Sequence, residues 1–212
     1  MRRLPRPAPF VGTVVPPTNS PLPRFAAPPD ESVLFISAAA APERHVLEHR
    51  PKGERLLVHA FAGDTPRSLA VAIHPAEPGL SKVRVSLSQS IVDALGRLAD
   101  LTGALADGTI LDATLVVRPG FRVIGPTGAP LANQLVVSDL PYLGGELIIG
   151  RPFAERRAVL TELLDALNTP SLISATELRP LDPASTALAM PRGMLVILRD
   201  LNAGYTPRKA RT

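Results

Sequence analysis

The sequence predicts an α+β fold, and three observations carry that expectation. Runs with strand character outnumber helical ones and do not alternate with them regularly, which argues against a doubly wound parallel sheet. Two stretches carry an apolar stripe at helical spacing. At 212 residues, with 45% apolar and 20% charged, the chain can bury a real core as one domain, or as one domain and a small appendage.

Residues 1–31 hold nine of the 24 prolines. Each proline fixes φ and removes a donor, so this stretch reads as an extended N-terminal arm, either wrapped over the surface or loosely ordered. The domain proper is expected over residues 32–205. Ser32 to Ala38 reads as its first strand. A charged turn, Glu48 to Arg55, is expected to run into a strand from Leu56 to Phe61. Asp64 to Leu80 reads as a loop with one short apolar run, Leu69 to Ile73, between proline breakers.

Lys82 to Leu87 alternates and reads as a strand. Ser88 or Ser90 can cap the helix that follows, whose stripe is Ile91, Leu95 and Leu98 with Val92 and Ala99 beside it. Ile110 to Val117 predicts a strand, with Phe121 to Ile124 as a possible partner across Pro119-Gly120. Gln134 to Leu140 predicts another, and Gly144-Gly145 marks a turn after it. Phe153 to Leu167 predicts a helix, because Leu160, Leu163, Leu164 and Leu167 recur at its period. Leu172 to Leu178 and Met194 to Leu198 complete the strands, and residues 206–212 form a basic tail.

Composition excludes several function classes. The absence of cysteine rules out disulfides, thiolate zinc sites and cysteine nucleophiles. The four histidines, His45, His49, His59 and His74, show no metal-ligand spacing with a carboxylate. No apolar run approaches the ~20 residues that span a bilayer, and the proline-cut N-terminus does not read as a signal peptide. A cytoplasmic protein without a membrane partner is the expectation. The formal net charge of +4 is compatible with nucleic acid. With 4% aromatic residues and no tryptophan, single-strand stacking platforms are not expected.

The stretch Leu47 to Phe61 organises the rest. Its frame of Glu48, Arg50, Lys52, Gly53 and Arg55 before an apolar strand resembles the nucleotide-binding turn of ATP-dependent DNA ligases, Glu-x-Lys-x-Asp-Gly-x-Arg. The likeness continues in order along the chain. Leu111-Asp112-Ala113-Thr114 falls where the family has Leu-Asp-Gly-Glu. Residues 136–164 follow the family's strand, turn and helix, matching at Asp139, Pro152, Glu155, Arg156 and Arg157, with Ser138 in place of the aromatic that stacks on adenine. Met194 and Arg199 then stand where Glu-Gly-Val-Val-x-Lys supplies a glutamate and a lysine, and Tyr205 and Pro207 fit the Tyr-x-Pro that follows. The proline-bearing opening resembles actinobacterial ligase domains. The likeness ends before the last nucleotidyltransferase motif, and no oligonucleotide-binding (OB) barrel is expected.

The resemblance implies an ATP-grasp-like nucleotidyltransferase (adenylation) domain, two antiparallel sheets flanked by helices around a nucleotide cleft. It also implies ATP and magnesium as cofactors and nick sealing in DNA repair as the activity. The cleft positions would be Glu48, Arg50, Arg55, Thr114, Ser138, Met194 and Arg199. The substitutions predict that this chemistry is lost. Self-adenylation needs an amine lone pair, and a guanidinium with a pKa above ~12 does not supply one. Arg50 holds the nucleophile's place, and Lys52, two residues nearer the strand, is a poor substitute. Thr114 and Met194 would have to be carboxylates to hold the metal.

Asp112 and Asp139 are either metal ligands or turn and capping residues. Glu155 with Arg156 and Arg157 is expected to start and anchor its helix. Arg50, Lys52, Arg55 and Arg199 would make a positive pocket for phosphate or a nucleic-acid backbone, or else surface charge on an eroded site. The expectation is therefore a degenerate ligase-like protein. The alternatives are a DNA-binding module, a module for a repair-protein partner, or a scaffold.

Overall fold

The computed structural model describes residues 41–62, 69–75, 86–101, 108–116, 131–132, 134–181 and 194–205. The expected arm, the Ser32 to Ala38 strand, the Phe121 to Ile124 partner strand, Pro207 and the basic tail lie outside the described residues, as does most of Lys82 to Leu87.

After a 3-10 turn at Pro42–Arg44, the strands are β1 (His45–Pro51), β2 (Glu54–Ala62), β3 (Leu69–Pro75), β4 (Ser86–Leu87) and β5 (Thr109–Val116). They continue with β6 (Leu131–Ala132), β7 (Gln134–Leu143), β8 (Glu146–Leu147), β9 (Ile173–Ala175), β10 (Glu177–Pro180) and β11 (Met194–Asp200). Helix α1 spans Gln89–Leu101 and α2 spans Phe153–Leu167. The architecture is α+β, as expected, with two main sheets.

The larger sheet runs β3-β2-β5-β7, with β8 and β9 sharing the far side of β7. Its pairings are antiparallel except β7 with β9. A parallel return needs a crossover, and α2 supplies it. The smaller sheet is antiparallel, β10-β1-β11. A third, two-stranded pairing joins β4 to β6 in parallel.

Strand alternation sorts the larger sheet into two faces. Leu56, Val58, Ala60, Leu111, Ala113, Leu115, Leu135 and Val137 point one way, into one core with Ile91, Leu95 and Leu98 of α1 and Leu160, Leu164 and Leu167 of α2. Leu57 and Ile110 point the other way, against Tyr142. Both helices therefore cover the same face. Burial of each such leucine or isoleucine stabilises the fold by about 1.5–3 kcal/mol.

The helices form where their stripes predict. Ser88 Oγ accepts the Ile91 N–H at 3.4 Å, a side-chain cap at the start of α1. Helix α2 ends on Asn168 at φ 50°, whose N–H reaches the Leu164 and Asp165 carbonyls. Its start has no side-chain cap. Instead the Phe153 and Ala154 N–H groups donate to the Ala203 and Leu201 carbonyls at 2.8 and 2.9 Å, so the segment after β11 caps it.

Three expectations need correction. The charged turn from Glu48 to Arg55 is only a bend at Lys52-Gly53, because Glu48 and His49 are held in β1 between two partner strands and Arg50 pairs with β11. Leu69 to Ile73 is not a run inside a loop but most of β3, paired with β2 along its whole length. Pro75 stands at the strand's end, where its missing donor is tolerated. Leu172 to Leu178 is two strands in different sheets. At Thr176, whose N–H donates to the Val137 carbonyl at 2.8 Å, the chain leaves the larger sheet for the smaller.

Candidate functional site

Glu48, Arg50, Arg55, Ser138 and Arg199, among the predicted positions, lie where the two main sheets meet. On β1, Glu48 and Arg50 share one face, while Leu47 and His49 share the other. Glu48 is fully buried and gathers its neighbours: Arg199 Nε donates to Oε2 at 2.7 Å and Arg50 Nη2 to the same oxygen at 3.2 Å. Thr176 Oγ1 donates to Oε1 at 2.9 Å and itself accepts from Arg157 Nη1 at 2.9 Å. Arg157 also donates to the Thr176 carbonyl. The first turn of α2 is thereby tied to β1 through the threonine at which the chain changes sheets.

A second buried carboxylate, Asp112, lies on β5. Arg55 grips it with Nε on Oδ1 at 2.9 Å and Nη2 on Oδ2, and the Tyr205 hydroxyl donates to Oδ2 at 3.1 Å. The β5–β7 register shifts on both sides of Asp112, and Ser138 Oγ donates to the Asp112 carbonyl at 3.0 Å within that irregularity. Such a bulge re-aims side chains, here bringing Asp112 and Asp139 level with each other. Asp139 is the third carboxylate. Arg156 meets it as a fork, Nε to Oδ1 and Nη2 to Oδ2, both at 2.9 Å, and the Leu140 N–H adds 2.8 Å to Oδ1.

Aromatic rings close the cluster. The Arg199 guanidinium carbon lies 5.1 Å from the Phe153 ring centroid, and that of Arg156 lies 5.8 Å from both Phe153 and Tyr205.

The charges are tuned by burial against pairing. Burial would raise the Asp112 carboxyl, but Arg55, with Arg50 and Arg199, pulls it down to about 2. Glu48 is likewise held below its ordinary value, with burial opposed by Arg199 and Arg50. Arg50 is lowered because desolvation outweighs its attraction to Glu48. Arg199 is raised, because Glu48 and Asp139 overcome desolvation. Tyr205 stays a neutral phenol, raised by burial and by Asp112.

Arg50 sits within this cluster, 5% exposed, whereas Lys52 lies exposed on the β1–β2 bend. The bend is pressed onto β5: a Cβ on Gly53 would overlap the Leu115 carbonyl oxygen and come 2.7 Å from Thr114 Cγ2. Thr114 pairs in register with Arg55, and Ser138 is fully buried beside Asp112. Met194 pairs in register with Pro51 at the start of β11. Asp112 is ion-paired with Arg55 and Asp139 with Arg156, which anchors α2, while Glu155 is exposed in its first turn. Thr176 carried no signal in the sequence. A threonine between two short apolar stretches looks like any strand residue until the change of sheet is known.

The implied magnesium does not fit the oxygens present. All six oxygens of Glu48, Asp112 and Asp139 are already engaged by guanidinium, hydroxyl or amide donors. Among the described residues, no group of three or more His, Asp or Glu is placed to hold a metal. Among the described residues, the one lysine, Lys52, lies exposed on the bend rather than in the cluster. Among the described residues, no helix is long and apolar enough to cross a membrane.

No family model and no curated protein matches the chain. Solved structures similar to it include the two that follow. The ligase domain of LigD from M. tuberculosis is 24% identical, with 79% of this chain and 52% of that chain covered and a TM-score of 0.45. Mycobacterial DNA ligase D complexed with ATP and MES is 22% identical, with 77% and 52% covered and a TM-score of 0.42. The chain spans about half the length of each.

Proposed function

We propose that this chain is a DNA-ligase-like domain of DNA repair that no longer forms a covalent adenylate. One observation carries the reading. The residue in the nucleophile's place is an arginine, buried against Glu48, while the nearest lysine, Lys52, is exposed on the bend. A guanidinium keeps its proton and is a poor nucleophile. The family's metal carboxylates are absent as well: Thr114 and Met194 stand at those positions. Incubating the purified protein with α-labelled ATP tests the reading. No covalent band is expected, and a labelled band sinks it.

A second reading, a non-catalytic module that binds DNA, is favoured by the charge balance. Four guanidinium groups, on Arg50, Arg55, Arg156 and Arg199, meet three carboxylates and a fifth, on Arg157, meets Thr176, a surplus of two positive charges among these eight charged side chains. It predicts a salt-dependent shift of nicked DNA, weakened by Arg50→Ala and by Arg199→Ala. No binding at low salt ends this reading.

A further inference from the structure

We propose that the outer face of the smaller sheet, turned away from the larger one, is a docking seat for the chain's own upstream segment, Ser32 to Ala38. That segment lies outside the described residues.

Alternation along β1 sends Glu48 and Arg50 into the charge cluster and His45, Leu47 and His49 to the opposite face. Val196 and Leu198 of β11 join that face, directly opposite His49 and Leu47. Leu47 and His49 are each only 3% exposed, yet Leu47 belongs to neither core cluster of the described residues. The neighbouring strand β10 differs: Glu177, opposite His49, and Arg179, opposite Leu47, stay more than half exposed. What shields the face therefore lies over β1 and β11 and leaves β10 open.

The chemistry of the cover follows from His49. Both of its ring nitrogens are shielded from solvent and have no hydrogen-bond partner. A polar or water-bearing cover would supply one, so the cover is apolar. Val33 to Ile36, four uncharged apolar residues in succession, match it. Phe121 to Ile124, also outside the described residues, is interrupted by Arg122.

Position selects the same segment. The Ala41 carbonyl accepts from His45 Nδ1 at 2.8 Å, so the chain arrives at β1 across this face. Only Ala39 and Ala40 separate Ala38 from that contact, a reach of at most about 11 Å. So short a tether keeps the segment at a high effective concentration, and modest apolar burial is enough to hold it. Ser32 to Ala38 has seven residues, the length of β1.

The chain has no cysteine, so a single one can be placed and labelled. Leu198→Cys, on the seat, and Leu195→Cys, on the opposite face of β11, each carry a benzophenone that is photolysed in the full chain at low concentration. Cross-links from position 198 are expected within one molecule, to residues 32–40, and those from position 195 are expected to miss that stretch. Cross-links from 198 to another part of the chain or to a second copy, none at all, or equal yields from both positions overturn the proposal.

Carbethoxylation by diethyl pyrocarbonate, read by tandem mass spectrometry, tests the seat without a label. His49 is expected to resist in the native chain. It should react about tenfold faster in full-length Phe35→Asp, because a carboxylate does not stay on an apolar seat, while buried His59 keeps its native rate. Ready reaction of His49 in the native chain, or an unchanged rate in Phe35→Asp, overturns the seat. Equal acceleration at His59 does so too, since the substitution would then act on the fold as a whole.

Discussion

Arg50 decides the chemistry, yet it does not act alone. Its carboxylate neighbour Glu48 would pair with an ammonium as readily as with a guanidinium and hold it protonated. Arg50→Lys is therefore expected to give no adduct with α-labelled ATP; a labelled band in that variant would make the guanidinium the sole defect. Asp112 is the residue whose loss should matter most to stability. It is fully buried and takes both Arg55 and Tyr205, so Asp112→Asn leaves a largely buried guanidinium without its counter-charge. A loss of about 3 kcal/mol or more is expected in urea unfolding.

Among the elements, the β1–β2 bend tolerates no added side chain at Gly53 without a shift. Gly53 allows the bend to lie on the backbone of β5, and any Cβ there meets a carbonyl oxygen that the sheet holds in place. Gly53→Ala is expected to cost about 1–3 kcal/mol, read as a lowered midpoint in denaturant, because β5 must shift to make room. Helices α1 and α2 and the strands β5 and β7 were legible in the sequence because apolar periodicity alone specifies them. β1 was not. Glu48, His49 and Arg50 read as a polar turn, and only pairing with β11, and of Glu48 and His49 with β10 as well, makes them a strand. β10 was hidden for a related reason, since nothing local in residues 172–178 announces that the chain changes sheets at Thr176. The site followed the same rule. Its arginines were found by their order along the chain, whereas Thr176 depends on contacts between residues far apart in sequence.

For the molecule as a whole, the join between the two main sheets is made of buried ion pairs, and this sets its response to acid. The Asp112 carboxyl falls from an ordinary 3.8 to about 2 on folding. A depressed carboxyl stabilises the fold above the unfolded value, and that contribution is lost as pH falls through the folded one. About 2 kcal/mol should disappear between roughly pH 4 and pH 2. Glu48, also depressed, acts with the same sign below its ordinary value of 4.5. Urea midpoints measured down this range should fall steeply in the native chain and less so in Asp112→Asn.

The backbone cap on α2 gives a local reporter of that join. Because the amides of Phe153 and Ala154 are sealed by carbonyls of residues 203 and 201, their deuterium uptake should be slow only while the end of β11 stays docked. Acidification that loosens the smaller sheet should therefore speed uptake at those two amides before it reaches the middle of the helix, at Leu160.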